Sequence, residues 1–174
     1  MSPSGLPPAR PHVRRIRGRD WQQLRALRLE ALGDTPLAFL ELHAEAALRD
    51  DGSWRRRAEG SATGSDSAMF VASEASGEWI GMLGVYRDTP DEAQVVSVYV
   101  APRARGHGVL DALLDQAQQW ARSVGLDRLR LLVHEDNSRA RTAYERLGFT
   151  PTGRSFPCSL DQTRAEHELD KRLP

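Results

Sequence analysis

At 174 residues the chain suits one domain, and its 24 basic and 24 acidic residues give a formal net charge of zero, which removes any global electrostatic case for nucleic acid or an anionic membrane. Cys158 is the only cysteine, so neither an intrachain disulfide nor a cysteine zinc cluster can form. No apolar run approaches the ~20 residues that cross a bilayer, and Met1 to Arg10 has no apolar core for export, so a cytoplasmic protein is expected, with no membrane or nucleic-acid partner.

In chain order, Pro3, Pro7, Pro8 and Pro11 mark residues 1–11 as a flexible arm ahead of one domain over 12–174. The basic residues Arg10, Arg14, Arg15, Arg17 and Arg19 read as a solvated cluster. His12 to Arg17 alternates as a first strand, and Asp20 is placed to cap a helix carrying Trp21, Leu24, Leu27, Ala31 and Leu32, stopped by Gly33. Leu37, Leu40, Ala44 and Leu48 predict a second helix from about Thr35 to Leu48, followed by a short charged piece around Trp54. Ser61 to Ser67 is a loop, and Met69–Ala72 and Trp79–Tyr86 form a hairpin about Ser76-Gly77-Glu78. Strands at Val95–Val100, Leu129–Val133, Phe149–Thr152 and Arg164–Leu173 follow, with helices after Gly108 and from Asn137 to Leu147. Strands that meander first and cross over later imply an α/β fold: a mixed, mostly antiparallel central sheet of about seven strands with helices on both faces.

The stretch Val98-Tyr99-Val100-Ala101-Pro102-Arg103-Ala104-Arg105-Gly106-His107-Gly108-Val109-Leu110 carries the most chemistry. A β-branched strand ends at Pro102, and Leu110, Leu113, Leu114, Ala117, Trp120, Ala121 and Val124 then recur at helical steps until Gly125. The N–H groups of the first helical turn lack partners within the helix, and Gly106 and Gly108 let a ligand approach the backbone, so this turn attracts phosphate. Arg105 adds a cation there. The dinucleotide fingerprint lacks its third glycine, and the Walker pattern lacks Gly-Lys-Ser/Thr. The remaining pattern, V-x-P-x-x-R-G-x-G-V, resembles the acyl-CoA signature of the GNAT superfamily of N-acetyltransferases, with Leu110 standing where that family usually has Gly or Ala.

Asn137-Ser138-Arg139-Ala140-Arg141-Thr142-Ala143-Tyr144-Glu145-Arg146-Leu147-Gly148-Phe149 resembles a second element of the same family. Asn137 and Tyr144 are seven apart, so they point the same way two helical turns apart. The resemblance implies acetyl-CoA as cosubstrate, held by the backbone of Val98, Tyr99 and Val100, by the turn Arg105, Gly106, His107, Gly108, Val109 and Leu110, and by Asn137 and Tyr144. It implies no metal. A backbone N–H of the Val98–Val100 strand would meet the oxyanion, and His107 would contribute only its N–H from a solvated loop.

Acetyl transfer to an amine poses two proton problems, because an alkylammonium holds its proton to about pH 10.4 and the leaving thiolate needs one. The resemblance makes Tyr144 the acid. By the resemblance, many relatives carry an acidic base on the strand before the loop; here Gln94 stands at one common acidic position and cannot ionise, so either Glu92 or a water chain near Gln94 is its substitute, unless Glu92 is a solvated turn residue. His134 and Glu135 at a strand's carboxyl end are further candidates. His167 reads as a structural or pocket-lining residue, Cys158 as inert, and Trp79 and Trp120 as core. Trp21 and Trp54 are read either as packing around the acceptor or as helix docking.

The function implied is direct acetyl transfer from acetyl-CoA to a primary amine of a small molecule, with no covalent enzyme intermediate. Acetylation of a protein N-terminus or lysine stays open. So does a non-catalytic acyl-CoA-binding regulatory module, which Gln94 favours and Tyr144 opposes. The resemblance also points to a homodimer as the assembly to test.

Overall fold

The computed structural model describes residues 11–174, so the arm expected over residues 1–11 lies, but for Pro11, outside the described residues. Seven strands form one sheet in the order β1 (His12–Arg15), β2 (Ser67–Ser73), β3 (Trp79–Arg87), β4 (Glu92–Val100), β5 (Arg128–His134), β7 (Ala165–Arg172) and β6 (Thr150–Pro157). Only β4 and β5 pair in parallel; every other neighbouring pair is antiparallel, which is the mixed α/β sheet expected. A parallel pair cannot be joined by a tight turn, and helix α4 (Val109–Ser123) supplies the crossover.

Different helices close the two faces. Leu113, Leu114, Ala117, Trp120 and Ala121 of α4 share one core with Phe70, Leu83, Val85, Leu129 and Leu131. On the other face α1 (Trp21–Asp34), α2 (His43–Ala47) and α3 (Asp51–Ala62) gather Leu24, Leu27 and Trp54 against Val71, Met82 and Tyr99. Helix α5 (Ser138–Arg146) leads into β6, and the edge of its Tyr144 ring meets Phe149 at a centroid distance of 5.8 Å.

Three expectations are corrected. The helix expected over Thr35–Leu48 is broken into a 3₁₀ turn at Pro36–Ala38, an extended Phe39 and the short α2. Its spacing did not mark a core face: Leu37, Leu40 and Leu48 are 47%, 54% and 87% exposed. Asp20 does not cap α1 with its side chain; it closes the preceding 3₁₀ turn, accepting from the Arg17 N–H at 2.8 Å and from Arg14 at 2.7 Å. Nor is the basic cluster wholly solvated, because Arg15 donates to the carbonyls of Ser61 and Ser67 at 3.0 and 2.7 Å and ties β1 to the end of α3.

Candidate active site

The site begins with a fault in the sheet. Gly84 of β3 faces Val96, whereas Met82 faces Tyr99, so β4 carries one residue more than its partner between those pairs. The extra residue is accommodated at Ser97, which takes φ +54° without being glycine, the local bend of a β-bulge. Arg28 buttresses it, donating to the Ser97 hydroxyl at 2.9 Å while forming a buried pair with Glu41 at 2.8 Å and lying 4.4 Å from the Phe39 ring centroid.

The bulge bends β4 away from β5. The two strands pair only at Glu92–Arg128, Ala93–Leu129 and Gln94–Arg130, and beyond Gln94 they part. Their facing edges then line a cleft of about 590 Å³ that runs from Val95–Val100 and Leu131–His134 to the turn before α4. Unpaired strand edges accept an extended ligand by strand-like hydrogen bonding, so the cleft suits a pantetheine-like arm.

At the far end of the cleft, Gly106 and Gly108 adopt φ +78° and +76°, and a Cβ on either would meet no protein atom within 4 Å. The space over these glycines is open for a ligand, and Gly108 starts α4 without a side-chain cap. The first-turn N–H groups and the helix dipole therefore stay available to an anion. Val98, Tyr99, Val100, Arg105, Gly106, Gly108, Val109, Leu110, Asn137 and Tyr144 all line this cleft. His107 is exposed and does not. The Tyr99 side chain points away, donating its hydroxyl to Glu30 at 3.0 Å, so only its backbone serves the cleft.

Arg105 is not a free cation. Its Nε donates to the Val100 carbonyl at 3.0 Å and its guanidinium pairs with Asp34 at the end of α1. The Thr35 hydroxyl and the Arg105 guanidinium hold the Asp34 carboxyl below the ordinary carboxylate range, so it is charged at neutral pH and competes with a diphosphate for Arg105. Asp34→Asn should therefore tighten CoA binding about two- to fivefold, the scale of an exposed ion pair. Unchanged affinity in calorimetry would remove Arg105 from the diphosphate site.

Tyr144 is buried, and burial holds its phenol proton well above the ordinary tyrosine value. Among the described residues its hydroxyl has no hydrogen-bond partner, yet the side chain lines the cleft. Asn137 caps α5, accepting from the Ala140 N–H at 3.2 Å.

Glu92 is corrected as the candidate base. It sits at the start of β4, three residues before the strands part, pairs with Arg130 and lies 3.7 Å from Arg128; it does not line the cleft, and neither does Gln94. Two carboxylates do line it: Asp111 of α4, which is paired with Arg146 at 3.1 Å, and Glu166 of β7, directly across the ladder from His134 of β5. Glu166 and His134 are buried, and burial raises the Glu166 pKa above the ordinary carboxylate value, an effect partly offset by His134. The His134 Nδ1 accepts the Asp136 N–H at 3.2 Å, so Nε2 is the nitrogen that carries a proton and donates. Glu135 is turned to Arg164, 3.0 Å away.

In the sequence of this strand His167 is the more conspicuous residue, and Glu166 stands beside it as one of several acids. The alternation that sets Glu166, Glu168 and Asp170 opposite Leu169 was the signal. Trp21 and Trp54 stay out of the cleft, Trp54 fully buried in the helical core and Trp21 beneath Arg55. Among the described residues no group of three or more His, Cys, Asp or Glu converges as metal ligands would, and no helix is long and apolar enough to cross a membrane.

Comparison with known proteins matches residues 21–149 to the profile of the Acetyltransferase (GNAT) family. A mycothiol acetyltransferase from Beutenbergia cavernae is 34% identical over 88 residues, 49% of this chain, and the chain spans only 30% of that protein's length. The crystal structure of nourseothricin acetyltransferase superposes with a TM-score of 0.59 at 31% identity, over 63% of this chain and 66% of that one. A GNAT-family acetyltransferase from Streptococcus pneumoniae shares the fold, with a TM-score of 0.78 at 18% identity over 94% of this chain and 99% of the other.

Proposed function

Because the chain belongs to the GNAT acetyltransferase family, we propose that it transfers the acetyl group of acetyl-CoA to the primary amine of a small molecule, by direct attack with both substrates bound. One observation carries this reading: the bulged β4 parts from β5 and leads straight to an uncapped glycine turn at the start of α4, which joins a strand-like berth to a diphosphate berth in one cleft. The backbone from Val98 to Val100 would hold the pantetheine arm, and the N–H groups from Gly106 to Leu110 the diphosphate.

Bound acetyl-CoA supplies a thioester carbon that takes the new bond to nitrogen as its bond to sulfur breaks. Glu166 takes the proton from the acceptor's nitrogen, its raised proton affinity making it a stronger base than an exposed carboxylate. His134 orients the acceptor or Glu166 from Nε2, and Tyr144 donates a hydrogen bond from its phenol to the departing sulfur. A proton-accepting and a hydrogen-bond-donating group in one cleft favour an enzyme over a binding module. The walls of a side cavity at the acceptor end, built from three chain segments, favour a small molecule over a protein tail.

Calorimetry with acetyl-CoA tests the cofactor half. Gly108→Val places branched carbons in the open space over the turn and forces a β-branched residue to φ +76°, so affinity should fall more than about 100-fold while the fold survives with a strain cost on the order of 1–2 kcal/mol. Wild-type affinity in that variant would refute the diphosphate berth.

A further inference from the structure

A smaller cavity of about 170 Å³ adjoins the cleft and shares Leu37 and His134 with it. The apolar part of its lining comes from the segment after α1 (Pro36, Leu37, Phe39) and from the β6–β7 connection (Cys158, Leu160). Leu37 and Leu160 are 47% and 46% exposed, so apolar surface stays open at the cavity for a ligand to cover.

The ionic groups around this cavity are mostly of one sign. Asp136 and Asp161 line it, with Glu166 beyond His134 in the cleft. The single cation lining it is Arg164, already engaged by Glu135 at 3.0 Å and by Asp136. Asp161 accepts from the Thr163 N–H and hydroxyl at 3.0 and 2.6 Å, which fixes its charge in place. An acceptor approaching as an ammonium ion is attracted here; one that carries its own carboxylate or phosphate beside the amine is repelled. The volume is close to the ~150 Å³ that accommodates a single six-membered ring.

Resting on the acetyltransferase reading, we propose that the acceptor is a primary amine on a short arm with one apolar ring or a branched alkyl body of similar size, and with no anionic group beside the amine. The ring sits between Leu37, Phe39 and Leu160, and the amine points past His134 toward Glu166. The cavity thus supplies the apolar contacts, while the carboxylates draw in the cation that Glu166 then deprotonates.

CoA release with 2-phenylethylamine, phenylalanine and putrescine as acceptors tests this, beside calorimetry for acetyl-CoA. The first amine should show kcat/KM at least about tenfold above the other two, since phenylalanine adds a carboxylate and putrescine replaces the ring with a second charge. Leu160→Lys, on an exposed loop outside the cofactor cleft, should lower kcat/KM for 2-phenylethylamine at least about tenfold and narrow its lead over phenylalanine, with acetyl-CoA affinity unchanged. If acetyl-CoA binds but phenylalanine or putrescine is the better acceptor, or none of the three turns over, the acceptor class is wrong and the acetyltransferase reading stands. Failure to bind acetyl-CoA would overturn both.

Discussion

Replacing Glu166 with Gln should lower kcat by roughly 10²- to 10⁴-fold, the usual contribution of a positioned general base, and leave acetyl-CoA affinity unchanged. The same substitution should raise Tm at neutral pH. Burial lifts the Glu166 pKa in the folded chain above its unfolded value, near about 4.3 for an ordinary glutamate. The group's stabilising contribution is therefore complete below the unfolded pKa and is lost as pH rises through the raised folded one. At neutral pH the wild type holds a buried charge that the glutamine variant lacks, so the Tm difference appears there and vanishes in acid. A structural role for Glu166 predicts the opposite sign. The acidic limb of kcat/KM should lie above the ordinary carboxylate range in the wild type and disappear in the variant. An unchanged limb would move the base elsewhere.

The parts of this site that were legible in the sequence are local. The glycine turn and the shared direction of Asn137 and Tyr144 depend on spacings within one strand–turn–helix or one helix, and these residues line one cleft. What was not legible depends on pairing across the chain. Glu92 has an ordinary local setting; Arg130, 38 residues away, draws it out of contention. Arg105 reads as a free cation until Asp34, 71 residues distant, is set beside it. The bulge at Ser97 has no local signature such as glycine, because it is fixed by the register of β3 and by Arg28 on a neighbouring helix. The misread helix after Thr35 has a physical cause of its own. Apolar residues at helical spacing form a core stripe only where a core faces them, and here Leu37 instead turns to the cleft while Leu40 and Leu48 face solvent.

Tyr144→Phe should lower kcat by about 10²- to 10³-fold, the range found when one donor to a developing negative charge is removed. The mechanism follows from its burial. A phenol whose proton is held well above the ordinary tyrosine value is a poor acid in the resting enzyme, and a full transfer to a thiolate with a thiol pKa near about 8.5 runs uphill. It is a good hydrogen-bond donor, however, because the proton stays on oxygen at any working pH and the surrounding apolar core strengthens the bond as charge builds on sulfur. The ring's packing against Phe149 survives in phenylalanine, so stability and acetyl-CoA affinity should stay near wild type. The pH profile separates donor from acid. If Tyr144 acts by donating a hydrogen bond, kcat rises with pH and reaches a plateau with no alkaline limb below about pH 10, the ordinary tyrosine value. A wild-type alkaline limb below that point, lost in Tyr144→Phe, would show instead that the bound thioester lowers the phenol's pKa and that the proton leaves it fully in the slow step.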